Sequence, residues 1–182
     1  MRKWTSVVAV NLSLLLAGVA WVHAQQKKAP AALTAQDYIE IQQLYATYAQ
    51  TLDTAQGERF AATFTPDGEF TRGRPQGEAT ATRTPLKGTE ALIRMGSVGG
   101  GRHFTANLLI TPTPEGANGS CYLLLFNARN IPATITETAI YDDQLVKTKE
   151  GWRFKKRVVW RDDDDISPFK PKPPSQTSSR PQ

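Results

Sequence analysis

The stretch "GTEALIRMGSVGGGRHFTANLLI", residues 88–110, changes its hydrophobic period half-way along. Up to Ser97, Ala91, Leu92 and Met95 recur at helical spacing, which predicts a helix over 88–97 with Thr89 as its cap. After three glycines the alternation becomes two-residue, which predicts a strand over 102–111. The same change divides the whole chain. Helical patterns lie before this point and strand patterns after it.

Before it, residues 33–53 read as a helix whose apolar stripe is Tyr38, Ile41, Leu44, Tyr48 and Leu52. Thr34 followed by Asp37 is a capping-box variant at its start. Residues 57–64 read as a second, short helix, and "TPDGEFTR" (65–72) as a turn and short strand. A loop containing Gly73, Pro75, Gly77 and Pro85 follows. After the switch come further strands at 119–128, 133–147 and 151–161. The linkers "PTPEGANG", "ARNIPA" and "KTKEG" carry the Gly, Pro or Asn that a reversal needs, with Asn118-Gly119 read as a turn. This order predicts an α+β fold, with three N-terminal helices packed on one face of a curved antiparallel sheet.

The ends read differently. Residues 1–24 have Arg2 and Lys3, an apolar run and a Val22-His23-Ala24 site, the layout of a secretory signal peptide. A periplasmic or secreted protein is expected, with no stable membrane anchor after cleavage. Residues 25–33 form a linker, 34–163 the domain, and 164–182 a Pro/Ser-rich disordered tail. The net charge of +5 is too mild to argue for nucleic acid as a partner. The one cysteine, Cys121, has no disulfide partner within the chain and reads as a buried, inert thiol. Its strand, "CYLLLFN", is apolar at every position, so both faces need cover. A homodimer using Tyr122, Leu124 and Phe126, or the opposite set, is the expectation.

Two residues stand out as candidates for chemistry. An uninterrupted period of two places His103, Thr105, Asn107, Leu109 and Thr111 on one strand face. Asp53 ends the first long helix, where the macrodipole disfavours negative charge. Ala46 and Ala49, on the same helical face, would leave room for a ligand. The blander alternative is a histidine facing water and an aspartate solvated at a frayed helix end.

Other signals carry less. Gly96 and Gly99 to Gly101 follow a helix and lead into a strand, the reverse of a phosphate loop, and read as a helix stop and pocket rim. The run Asp162 to Asp165 lacks the spaced oxygens of a calcium loop. Arg153, Lys155, Arg157 and Arg161 share a strand face that reads as solvated. No metal and no cofactor is expected.

The segments "IQQLYATYAQTLD", "FAATFTPDGEF", "RHFTANLLI" and "AIYDDQLVKTKEGWRFKKR" together resemble the SnoaL-like family of the nuclear-transport-factor-2-like superfamily. That family includes polyketide cyclases and scytalone-dehydratase-like enzymes. The resemblance covers residues 34–161 and implies a cone-shaped, cystatin-like roll with a pocket at its open end. It implies Asp53 and His103 as an acid–base pair, and Tyr48, Asn107, Tyr141 and Asp143 as substrate-binding groups. Two functions remain open. One is a cofactor-independent lyase or isomerase acting on a small, largely apolar molecule. The other is a non-catalytic binding module with the same pocket.

Overall fold

In the computed structural model the described residues are 32–72, 84–163 and 168–169. The leader, linker residues 25–31, the loop at 73–83 and nearly all of the tail lie outside them. Helices α1 (Ala35–Asp53) and α2 (Gly57–Ala61) come first, then strands β1 (Phe64–Arg72) and β2 (Leu86–Lys87). Helix α3 (Thr89–Gly96) precedes four long strands, β3 (Gly101–Thr113), β4 (Gly116–Asn127), β5 (Thr134–Thr148) and β6 (Gly151–Arg161).

The predicted capping box forms at the start of α1. The Thr34 hydroxyl accepts from the Asp37 amide, and the Asp37 carboxylate accepts from the Thr34 amide at 2.8 Å. Asp37 also receives Lys147 Nζ at 2.7 Å and Trp152 Nε1 at 3.0 Å, so one carboxylate joins the helix to the β5–β6 hairpin. The cap of α3 is not the expected one. Gly88 occupies that position at φ +83, and Thr89 is already helical. A positive φ costs glycine nothing and a β-branched threonine a good deal, so the turn takes the glycine.

The strands form one six-stranded sheet in the order β2-β1-β6-β5-β4-β3. Every neighbouring pair is antiparallel except β1 with β6, which is parallel. The first long strand therefore lies beside the last, and the sheet is mixed. Helices pack on one face of it over a core that includes Ile41, Tyr48, Phe60, Leu92 and Phe154. Cys121 lies in the same core, where burial pushes its thiol up to about 12, as an inert thiol requires.

Irregularities in the strands decide which side chains turn inward, because one extra residue reverses the alternation beyond it. In β3 the register shifts between Ala106 and Leu109, with Asn107 at φ +57. In β6, Phe154 pairs with Leu145 and Lys156 with Gln144, which leaves Lys155 unpaired. The expected solvated face of β6 is accordingly wrong for Arg157, which points inward and is wholly buried. The β3–β4 reversal also differs from expectation. Its turn is Pro114–Glu115, and Asn118 and Gly119 lie within β4. Gly119 serves a different purpose there: a Cβ would stand 2.2 Å from the Tyr45 hydroxyl.

The opposite face of the sheet keeps apolar groups exposed. Phe104 and Tyr122 are 61% and 52% exposed, and the Phe104 and Phe126 rings pack edge-on at 5.2 Å. Of the two sets on β4, Tyr122, Leu124 and Phe126 face away from the helices, while Cys121 and Leu123 are core.

Candidate functional site: an Asp–His pair on a cavity wall

Helix α1 ends where β3 begins. The Gly100 amide donates to the Asp53 carbonyl at 3.4 Å, and Gly99 and Gly100 adopt the positive φ that this approach requires. Three residues beyond Gly100, His103 faces the Asp53 side chain. Its backbone amide donates to Asp53 Oδ2 at 3.0 Å, and its Nδ1 lies 2.5 Å from Asp53 Oδ1. Both side chains are largely buried, at 13% and 9% exposed. An ionised carboxylate only accepts, so in the neutral ring this arrangement places the proton on Nδ1 and leaves a lone pair on Nε2.

His103 also lines a cavity of about 410 Å³, and Asp53 stands behind it. Leu52, Phe70, Met95, Leu123 and Val159 supply much of the apolar wall. Tyr48 and Tyr141 line it as well, with ring centroids 5.9 Å apart in an edge-on contact. Burial pushes both phenols up, so they remain neutral hydroxyls in any ordinary buffer. Gly99 and Gly101 form part of the rim, as their sequence position suggested. A wider depression of about 500 Å³ lies between α1 and the β5–β6 turn, lined by Glu40, Thr47, Arg59, Trp152 and others. It contains neither member of the Asp–His pair.

The two remaining candidates lie elsewhere. Asn107 sits on the β3 irregularity and is exposed, so His103 and Thr105 turn inward but Leu108 and Ile110 take over beyond it. Asn is among the few non-glycine residues that tolerate such a φ. Asp143 is buried below the cavity and does not line it. It binds Arg157 through two bonds of 2.7 Å and accepts from the Tyr45 hydroxyl. Burial alone would lower the Arg157 pKa, yet Asp143 beside it raises it well above the ordinary value, so the guanidinium stays charged. The guanidinium carbon lies 4.1 Å from the Tyr48 centroid and 4.0 Å from that of Tyr141. This buried pair supports the cavity floor from beneath. Ala46 is exposed, and neither it nor Ala49 lines the cavity.

Sequence reasoning missed Arg72, Glu137 and Arg161. Glu137 lines the cavity with its side chain 4% exposed, and accepts from Arg72 and from Arg161, the latter at 3.2 Å. The signal was available. Glu137, Ala139, Tyr141 and Asp143 recur every second residue and share the inward face of β5.

Comparison with known proteins agrees with this fold. The profile of the SnoaL-like domain matches residues 33–158. The chain belongs to the SnoaL-like family. A Nostoc punctiforme protein of unknown function with a cystatin-like fold is 26% identical, with a TM-score of 0.61 over 78% of this chain and 98% of that one. A Catenulispora acidiphila protein, solved in complex with S-DNPA, is 28% identical, with a TM-score of 0.59 over 71% of this chain and 96% of that one. An NTF2-like protein with a cystatin-like fold from Novosphingobium aromaticivorans is 20% identical, with a TM-score of 0.58 over 87% and 90% of the chains. At that identity the last match speaks to the fold alone. No curated protein matches the chain.

Proposed function

We propose that this SnoaL-like protein is an exported, cofactor-independent lyase or isomerase whose base is His103. One observation carries the reading: His103 lines an apolar cavity while Asp53 holds its Nδ1. Nε2 takes a proton from a carbon of the bound molecule, and Asp53 stabilises the imidazolium that forms. In an isomerase the proton returns to a different carbon. In a lyase it goes to a departing hydroxyl, which leaves as water. The hydroxyls of Tyr48 and Tyr141 orient the substrate from the floor. The solved complex of the Catenulispora acidiphila relative supports small-molecule binding in this family.

Export rests on the leader-like residues 1–24, and a periplasmic or secreted location is part of the proposal. So is a homodimer through the exposed face of Phe104, Tyr122 and Phe126, an apolar patch that a monomer rarely leaves open. Light scattering should report a dimer for the parent and a monomer for Tyr122→Glu. A monomeric parent would contradict it.

A second reading is favoured by the histidine count. The chain has two, and His23 leaves with the leader, so His103 would act without another imidazole. A binding module would use the same cavity without turnover. The discriminating experiment is a screen for turnover of small carbonyl and hydroxyl compounds, repeated on His103→Ala. Loss of a general base lowers the rate by about 10²–10⁴. A turnover that His103→Ala leaves unchanged would remove His103 from the chemistry, and ligand binding without turnover would establish the binding module.

A further inference from the structure

Two strands from His103, on the same inner face, the cavity wall carries a carboxylate whose partners use only one of its oxygens. His103 pairs with Leu125 across β3–β4, and Leu125 pairs with Glu137 across β4–β5. The three residues form one row on the inner face. The imidazole and the carboxylate thus flank Leu125 two strands apart, a backbone separation of roughly 10 Å. Glu137 receives both of its hydrogen bonds on Oε2, one from Arg72 Nη2 and one from Arg161 Nη1. Among the described residues none bonds to Oε1.

A carboxylate is drawn into an apolar wall only where its charge is matched. The two guanidinium groups do that and fix its orientation. Arg161 is itself held by Asp163 through bonds of 2.8 Å to each carboxylate oxygen, so it is not free to swing away. What remains is an oxygen acceptor, in a wall otherwise made largely of hydrocarbon, beside a cavity that also holds a histidine.

We infer that Glu137 sets the specificity of the cavity. Its Oε1 accepts a hydrogen bond from a hydroxyl of the bound molecule, at the end opposite the atom that His103 addresses. The ligand class is a compact, largely apolar molecule with a hydroxyl donor. The inference rests on the reading of this cavity as the ligand site, and names the chemistry it selects. It does not require turnover.

The test compares beta-naphthol with its methyl ether, which keeps the ring system and the oxygen but removes the donor. Calorimetric binding to the full protein should favour the naphthol by on the order of tenfold, as a hydrogen bond to a charged acceptor allows. In Glu137→Gln the amide oxygen turns to the two arginines, which only donate, and the NH₂ faces the cavity. That NH₂ donates to either probe's oxygen, so the preference should fall to near parity. His103 Nε2 is another acceptor on this wall, so a preference abolished by His103→Ala would also overturn the assignment. A Glu137 that only braces the fold would weaken both probes together in Glu137→Gln and leave their ratio unchanged. Equal affinities in the parent, or a ratio that survives Glu137→Gln, would overturn the assignment and leave the proton-transfer reading of His103 standing. Binding of neither probe would remove the cavity as a site for apolar molecules, and both readings would fall.

Discussion

Replacing Asp143 by asparagine should be among the most damaging single changes in this domain. The substitution keeps the shape and one acceptor, but removes the charge opposing Arg157. Both side chains are 0% exposed, so water cannot take over that role. Among the described residues, one buried nitrogen of Arg157, Nη1, already has no hydrogen-bond partner. Arg157 also lies against four aromatic rings, with centroids at 4.0–4.9 Å, and these cannot replace a carboxylate. Leaving such a charge unpaired costs about 3–5 kcal/mol. Against a typical total of about 5–15 kcal/mol, that is a large fraction. For a domain of this size it corresponds to a fall in melting temperature of about 10–20 °C. Thermal and urea unfolding, followed by circular dichroism, should show both. Replacing the pair together, Asp143→Leu with Arg157→Met, should recover much of the loss, because two apolar side chains need no partners. A loss below about 1 kcal/mol in Asp143→Asn would refute the reasoning, and so would a double variant no better than the single one.

Two further outcomes follow from local geometry. Asn107→Val should cost about 1–2 kcal/mol in urea unfolding, because a β-branched residue resists positive φ, while Asn107→Gly should be nearly neutral; equal stabilities would mean that the irregularity in β3 does not depend on this residue. The bonds from Lys147, Thr34 and Trp152 hold the Asp37 carboxyl well below its ordinary value of 3.8, so they stabilise the fold above that pH and the benefit is lost as pH falls below it. Asp37→Asn should therefore melt lower than the parent at neutral pH, with the gap closing under acid; a gap independent of pH would contradict the assignment.

Much of the fold was legible because period, caps and turn residues are local. Thr34 and Asp37 marked the start of α1, and the change of period after Ser97 marked the passage from helix to strand. What local signals could not supply was parity. A single extra residue reverses the inward set, and nothing beside Asn107 or Lys155 in the sequence declares that the count slips there. An unbroken alternation puts Asn107 in the pocket and Arg157 in solvent, whereas Asn107 is exposed and Arg157 is buried beneath the cavity. The turn assigned to Asn118-Gly119 failed for a related reason. Gly119 is small because Tyr45, distant in sequence, reaches across to Asp143. The Asp53–His103 contact was anticipated from the resemblance, whereas Glu137 was overlooked although its spacing to Tyr141 and Asp143 was in plain view.

The account stands on the contact between Asp53 and His103, and nitrogen NMR of the His103 ring tests it most directly. At a pH where the ring is neutral, Nδ1 should carry the proton and Nε2 should be bare, the tautomer opposite to the one free histidine prefers. Asp53→Ala should return the ring to the ordinary tautomer. A parent protein whose His103 already carries its proton on Nε2 would leave no lone pair facing the cavity, and would contradict the proposal that this nitrogen is the base.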